Sequence, residues 1–331
     1  MTHRVFVTRD IPDQGLLLLK KERQIKLDVY EKDQKIPERE LLRRVKGAYV
    51  ILSILTEKMN AKVFDAAGPQ LKMVANYAVG FDNVDLKEAA RRKIVVTNAA
   101  CPEISETVAE HTIALIFALT HRLPEADRFT RAGKYKAWGP KLLLGTDLVG
   151  KTIGLIGSGA IGSTVARRLH NGFDAKILYS DLKPNPALEK ETGARFLSKE
   201  AVLHDADIIS LHVPLLPSTR HLISTKELQL MKPTAFLVNT ARGSIVDEKA
   251  LLKALAKKQI AGAGLDVYET EPLIDTDPSD NLELRKMDNV VLTPHTASAT
   301  VETRQAMSRV AAENILAFLH GRTPHNVVKM K

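Results

Sequence analysis

Residues 152–162 read Thr152-Ile153-Gly154-Leu155-Ile156-Gly157-Ser158-Gly159-Ala160-Ile161-Gly162, a strand-forming run that passes directly into a G-x-G-x-x-G. Alone, a glycine-rich hexapeptide is a weak signal, because such runs also occur in plain turns. Here a strand precedes it and a helix over 161–170 follows, which is the setting of a dinucleotide-binding loop. Gly157 permits the tight turn, Gly159 lets the backbone approach a pyrophosphate, and Gly162 lets helix and strand pack closely. With Ser158, Ala160 and Ile161 they form the N-terminus of a helix, where unpaired N–H groups and the helix dipole favour an anion. The next strand ends Leu178-Tyr179-Ser180-Asp181, which places Asp181 19 residues past Gly162. An acid at that spacing binds the adenosine ribose hydroxyls and repels a 2′-phosphate, so the expected cofactor is NAD, with NADH preferred over NADPH. The plainer role for Asp181 is a turn former before Pro184, and Lys183 nearby weakens the discrimination.

Outward from this loop, short apolar runs alternate with amphipathic helical stretches almost throughout, as in α/β layers with parallel sheets. Before it lie candidate strands at 4–7, 27–30, 48–52, 71–75 and 94–97, with helical patterns at 37–45, 60–67 and 86–92 between them. A long helix is expected over 105–122, capped by Ser105, with Glu106 complementing the dipole of its first turn. A loop containing Gly133, Trp138, Gly139, Pro140 and Gly145 should follow it. The second strand series is 152–156, 176–179, 195–197, 208–213, 235–239, 263–267 and 290–293, with helices starting near Ile161, Ser198, Thr225, Asp247 and Thr300. Seven strands with crossover helices describe a doubly wound sheet. A last helix over 301–321 is surplus to it.

The expected fold class is therefore α/β with two domains. A doubly wound, Rossmann-type NAD-binding domain (100–294) is inserted into a flavodoxin-like substrate-binding domain (1–99 and 295–331), and the two crossovers form a hinge over a cleft. Residues 273–287, polar and Pro-containing, are expected to be a loop near that cleft.

Composition excludes several classes. The 331 residues carry a formal net charge of +9, yet Lys and Arg are scattered in short pairs, with 5% aromatic residues and no basic tail. Nucleic-acid binding is not expected from such a distribution; solvated helix faces and mild steering of acids account for the charge. No apolar run reaches the ~18 residues of a membrane span, and 1–10 read as a charged strand, not a signal peptide. One cysteine, Cys101, cannot form an intramolecular disulfide and suits a reducing compartment, so the expected location is cytoplasmic.

Three charged residues fall just after later strands, at the edge where open α/β sheets bind ligands: Arg242 after 235–239, Glu271 after 263–267, and His295 after 290–293. Reduction of a 2-keto acid needs a proton donor for the ketone oxygen, and a histidine suits that task. A neighbouring carboxylate orients the ring and favours its protonated form. An arginine fork matches the planar substrate carboxylate. Singly, each has an ordinary alternative: a surface ion-pair partner, a solvated turn residue, one of ten histidines. Their placement after successive strands, in a chain with a dinucleotide loop, makes the catalytic reading the better one. No metal is expected.

These residues sit in longer motifs. The runs Leu211-His212-Val213-Pro214-Leu215, Val238-Asn239-Thr240-Ala241-Arg242-Gly243-Ser244, Gly264-Leu265-Asp266-Val267-Tyr268-Glu269 with Glu271-Pro272, and Thr293-Pro294-His295 resemble the D-isomer-specific 2-hydroxyacid dehydrogenases. The resemblance covers essentially the whole chain. It implies a substrate-binding arginine at Arg242 and a Glu271–His295 acid–base pair. It further implies that Asp266 contacts the nicotinamide carboxamide, that Thr240 and Ala241 flank the cofactor, and that Val213 and Pro214 line the adenine pocket. In the first domain, Asn76-Tyr77-Ala78-Val79-Gly80-Phe81-Asp82 matches the loop whose Val79 and Gly80 amides cradle the substrate carboxylate; an ordinary strand-end turn is the alternative. The wording of that loop is most similar to glyoxylate and hydroxypyruvate reductases. Trp138 lies in the loop from which such enzymes reach a neighbouring subunit's site, implying a homodimer, with simple packing as its other role.

The sequence departs from the pattern at Val108 and at Thr296-Ala297, where relatives commonly carry Thr and Ile-Gly. Val79 argues against phosphonate oxidation and Glu271 against a formate dehydrogenase. A 3-phosphoglycerate dehydrogenase without a regulatory domain and an NAD-sensing corepressor remain as alternatives to a reductase of small 2-keto acids.

Overall fold

The computed structural model describes residues 2–271 and 283–328. They form two compact units, 1–104 with 299–331 and 105–298.

The smaller unit alternates β1 (His3–Val7), α1 (Asp13–Lys21), β2 (Ile25–Val29), α2 (Glu38–Arg44), β3 (Val50–Ile54), α3 (Ala61–Ala67), β4 (Met73–Tyr77), α4 (Leu86–Arg91) and β5 (Val95–Thr97). All five strands are parallel in the order β2-β1-β3-β4-β5, the flavodoxin-like order expected. Strands β3 and β4 are buried almost end to end, as strands covered on both faces must be. Asn60 and Asp85 cap α3 and α4 by accepting from Val63 N and Glu88 N, each worth about 1 kcal/mol.

The larger unit holds α5 (Pro102–Thr120), in which the division between the units falls, then α6 (Leu123–Arg131), β6 (Thr152–Ile156), α7 (Ala160–Phe173), β7 (Lys176–Ser180), α8 (Pro186–Thr192) and β8 (Arg195–Phe196). It continues with α9 (Lys199–Asp205), β9 (Ile208–Leu211), α10 (Thr225–Leu230), β10 (Phe236–Asn239), α11 (Glu248–Ala256), β11 (Gly262–Leu265) and β12 (Val290–Leu292). Its seven parallel strands run β12-β11-β10-β9-β6-β7-β8. The order reverses between β6 and β9, the switch point where such sheets take ligands. Two apolar clusters line the sheet, one built on Leu211, Leu237 and Leu251, the other on Ile116, Leu155 and Tyr179.

The chain returns to the smaller unit for α12 (Val301–Leu319), capped by Thr300. Gly15 of α1 meets it so closely that a Cβ there would lie 2.1 Å from the Ser308 carbonyl oxygen. Gly15 N donates to Ser308 Oγ at 3.0 Å, fixing the crossing. Past α12, Val328 N donates to Val96 O and Asn98 N to Asn326 O, so the chain covers the β5 edge.

Two expectations need correction. Ser105 does not cap a helix; α5 begins three residues earlier, because Pro102 is well tolerated in a first turn, where its missing N–H costs nothing. The stretch after it is not all loop, since α6 follows a break at Arg122, whose φ is +52°. That helix is amphipathic but buries no residue within the chain. Ion pairs Arg122–Glu125 and Arg131–Asp127 run along it instead. The loop expected at 273–287 lies largely outside the described residues, and Leu284–Lys286 form one 3₁₀ turn.

Candidate active site

The glycine loop turns sharply at Gly157, where φ is +101° and a Cβ would meet the His212 carbonyl at 2.7 Å. A Cβ on Gly162 would lie 2.2 Å from Gly157 O, so the close approach is to the loop itself. Gly159 differs: a Cβ there would meet nothing within 4 Å. It is the N-cap of α7 and no side chain satisfies the helix's first N–H groups. The open space and unpaired donors therefore coincide, which fits a bound pyrophosphate. Gly159→Ala should leave the melting temperature unchanged or slightly raised yet weaken NADH binding at least about tenfold. Gly162→Ala should lower the melting temperature; equal NADH affinity in Gly159→Ala and wild type would remove the pyrophosphate from this loop.

Asp181 directly follows β7. Its Oδ2 accepts from Ser158 N at 2.7 Å and Ser158 Oγ at 2.9 Å, and its Oδ1 from Leu182 N at 2.7 Å. Partial burial pushes its pKa up, but the Ser158 and Leu182 amides, the Ser158 hydroxyl and the Lys183 charge together hold it below the usual value. On the other side of the switch point, burial pushes the His212 imidazole down to about 4, leaving it neutral, with Val213 half-buried and Pro214 exposed beyond it.

The turn after β10 is folded by Asn239, 1% exposed, which accepts from Ala241 N at 3.0 Å and donates to Arg242 O at 2.9 Å. Thr240 Oγ1 lies 2.9 Å from Thr112 Oγ1 on α5. Arg242 is half-buried, and its Nη1 donates to Ala241 O at 2.8 Å. Past β11, Glu271 Oε1 accepts from Tyr268 N at 3.1 Å. Its Oε2 lies 2.7 Å from His295 Nδ1. Burial pushes the Glu271 pKa up, yet the His295 hydrogen bond and charge, the Tyr268 amide and the Arg242 charge hold it below its ordinary 4.5. Glu271 is thus an ionised acceptor at neutral pH, with the Arg242 charge close by. The bond at Nδ1 leaves His295 Nε2 without a partner among the described residues.

His295 has φ +54°, a left-handed conformation that costs a non-glycine residue about 1–3 kcal/mol. Asp266, 0% exposed, holds this loop: Oδ1 accepts from Thr293 Oγ1 at 2.6 Å and Thr296 N at 2.8 Å, and Oδ2 from Ala297 N at 2.8 Å. His295 N also donates to Asp266 O at 2.8 Å. The structure thus places Asp266 beneath the histidine loop, with five bonds from that loop. His111 Nε2 reaches Thr293 Oγ1 at 3.0 Å from α5.

In the smaller unit, the loop after β4 turns three successive carbonyls inward. Ala78 O accepts from Ala99 N, Val79 O from Asn98 Nδ2 at 2.8 Å, and Gly80 O from Asn76 Nδ2 at 2.9 Å. Asn76 and Asn83 form a reciprocal amide pair, 3.1 Å in both directions. No described group accepts from Val79 N or Gly80 N. Inward carbonyls and unpaired amides make an anion-accepting concavity.

A profile described as "D-isomer specific 2-hydroxyacid dehydrogenase, NAD binding domain" matches residues 113–297. A glyoxylate reductase of Korarchaeum cryptofilum (strain OPF8) is 47% identical over 332 residues, which span 100% of this chain and 97% of that protein.

The chain belongs to the D-isomer-specific 2-hydroxyacid dehydrogenases.

As a member of that family it is an oxidoreductase acting on CH–OH groups with a nicotinamide cofactor. The crystal structure of the TT0316 protein from Thermus thermophilus superposes with TM-score 0.90 at 42% identity, covering 98% of this chain and 100% of that one. An NADPH-dependent glyoxylate/hydroxypyruvate reductase from Sinorhizobium meliloti, in complex with NADP and malonate, gives TM-score 0.83 at 31% identity over 99% and 97%. In this dehydrogenase, Asn76, Asn98 and Asn239 are the supporting residues that pattern reading misses. Each is a buried or half-buried amide beside the end of a strand, and an isolated polar residue closing an apolar run is the available signal.

Proposed function

We propose that the protein uses NADH to reduce glyoxylate to its achiral 2-hydroxy acid and hydroxypyruvate to the D-2-hydroxy acid. The observation that carries this is the Glu271–His295 pair, 2.7 Å apart, with Nε2 of the ring left to a substrate. The bound nicotinamide supplies the hydride that reduces the keto carbon. His295 Nε2 delivers the proton to the keto oxygen, and Glu271, bonded to Nδ1, fixes the ring's orientation and balances its charge. Arg242 binds the substrate carboxylate and polarises the carbonyl; within the smaller unit, the Val79 and Gly80 amides are donors suited to a carboxylate, the role the family resemblance implies for them. The larger unit is accordingly the cofactor domain. Asp266 acts from beneath the histidine loop, in addition to the contact with the carboxamide implied by family.

Small substrates suit the charges present. Arg9, the cation at the carboxyl end of β1, already faces Asp33 at 3.4 Å and Glu57 at 3.7 Å, which disfavours its use for a substrate phosphate. The preference for NADH follows from Asp181, whose depressed pKa keeps a negative charge where a 2′-phosphate would lie. Oxidation of NADH and NADPH with glyoxylate, hydroxypyruvate, pyruvate and 3-phosphohydroxypyruvate tests both points. The first two substrates with NADH should give the highest kcat/KM, and Asp181→Ala should lower the NADH/NADPH ratio at least about tenfold. No oxidation with any keto acid would refute the activity; an unchanged ratio would move cofactor choice away from Asp181.

We also infer a homodimer. Leu123, Tyr135, Trp138 and Leu144 are 53%, 53%, 79% and 64% exposed along one stretch of the larger unit, large apolar side chains that a partner chain would cover. Trp138 at that exposure has little packing role within its own chain. A sedimentation mass of a single 36.5 kDa chain would overturn this. Among the described residues no helix is long and apolar enough to cross a membrane, and a cytosolic location is proposed with the single cysteine in mind; export of the native protein to an oxidising compartment would refute it.

A further inference from the structure

A second histidine–carboxylate pair lies beside the first. His221 Nε2 is 2.6 Å from Glu269 Oε1, and Arg220 Nη2 donates to the same oxygen at 3.1 Å. Glu269 stands two residues before Glu271 on one short loop. Three carboxylates meet that loop: Glu271 accepts from Tyr268 N, Glu248 from Glu269 N at 2.9 Å, and Glu269 follows directly. Like charges so close repel, and the Arg220 guanidinium together with the His221 hydrogen bond offsets that repulsion at Glu269.

His221 also reaches the other catalytic segment. Its N–H donates to Ser244 O at 2.8 Å, in the turn that begins at Arg242. On its far side Ile223 N donates to Ile245 O, and Asp247 N to Ile223 O. The Arg242 turn and the Glu271 loop touch without any gap: a Cβ on Gly243 would lie 1.9 Å from the Tyr268 carbonyl carbon and 2.5 Å from Glu269 N. Tyr268 Oη in turn donates to Thr293 O at 2.8 Å, two residues before His295. One residue, His221, therefore bonds through its main chain to the arginine turn and through its ring to the glutamate loop. It does so with φ at +50°, in the left-handed region. A histidine held in a disfavoured conformation by partners on two segments is a sign of selected geometry.

We propose that His221 is a positioning residue for keto-acid reduction: ring and main chain together hold the Glu271 loop in register with the Arg242 turn. It touches neither substrate nor cofactor in this role and acts through Glu269. The inference rests on the assignment of Arg242, Glu271 and His295 to the chemistry.

The test uses the whole enzyme with His221→Asn, Glu269→Ala, the double variant and Glu269→Gln. Asparagine tolerates a left-handed backbone but is too short to reach Glu269, so it removes the side-chain link alone. Each single variant should lower kcat/KM for the keto acid by about ten- to a hundredfold, while the NADH dissociation constant stays within about twofold of wild type. The double variant should lose no more than the worse single one, because both break the same link. Glu269→Gln, which keeps an acceptor for the ring, should recover most of the activity. The acid-side fall of kcat/KM should move to higher pH as Glu271 loses its fixed partners. A purely structural role would lower the melting temperature in step with activity and leave the pH profile unmoved, which would overturn the proposal. So would multiplicative losses in the double variant, or wild-type kinetics in both single ones. If wild type itself reduces no keto acid, the proposed activity fails first and this proposal with it, an outcome distinct from active wild type with unaffected variants.

Discussion

Alanine in place of His295 is expected to lower kcat for keto-acid reduction by about 10²–10⁴-fold, the usual worth of a positioned general acid, with NADH affinity retained. The loop should survive the change, because its bonds run to Asp266 from Thr293 Oγ1, Thr296 N and Ala297 N, and not through the histidine ring. What disappears is Nε2, with the pair formed between Nδ1 and Glu271 at 2.7 Å. The positive φ at this position requires a second variant. His295→Asn keeps a residue that tolerates the left-handed region and removes the imidazole. Both variants should show the same large loss in single-turnover hydride transfer, measured by NADH absorbance. Wild-type kcat in either would take His295 out of the chemistry.

Arg242→Ala should raise KM for the keto acid and lower kcat/KM by about 10²–10³-fold, since truncating one partner of a hydrogen-bonded charge pair costs about 2–5 kcal/mol. The guanidinium of Arg242 donates to Ala241 O from Nη1. Losing that bond is cheap at a half-buried carbonyl that water can reach, and the turn keeps its two Asn239 bonds. Arg242→Lys separates charge from shape: it keeps the cation but loses the bidentate fork, so KM should recover only in part. A normal KM in Arg242→Ala would refute carboxylate binding there. The same variant should raise the Glu271 pKa, because the Arg242 charge is one of the influences holding it down.

The two sheets are legible because their strands are apolar runs separated by amphipathic helical stretches, whereas the strand orders are given by the pairing itself. Helix starts at Asn60, Asp85, Ser198, Asp247 and Thr300 are cap residues whose side chains accept from the helix. Helix α6 is hard to read although it is amphipathic, because it is nine residues long with a proline in its first turn, and a proline there reads equally well as the start of a loop. The start of α5 is displaced from Ser105 because a proline, though tolerated in a first turn, reads equally well as the end of the preceding segment.

The sequence by itself determined the fold and singled out the glycine loop with Asp181 and the candidates Arg242, Glu271 and His295. All of these rest on local spacing and on residues whose chemistry has few substitutes. Tertiary structure alone decided how they are arranged. Glu271 and His295 are 24 residues apart and meet only because β11 and β12 are neighbours. The positive φ of His295 and His221 is imposed by bonds from distant segments, and neither residue type announces it. Asp266 beneath the histidine loop, and His221 between the arginine turn and the glutamate loop, are products of packing. A buried carboxylate or imidazole takes its role from whichever donors and acceptors the fold brings within about 3 Å of it.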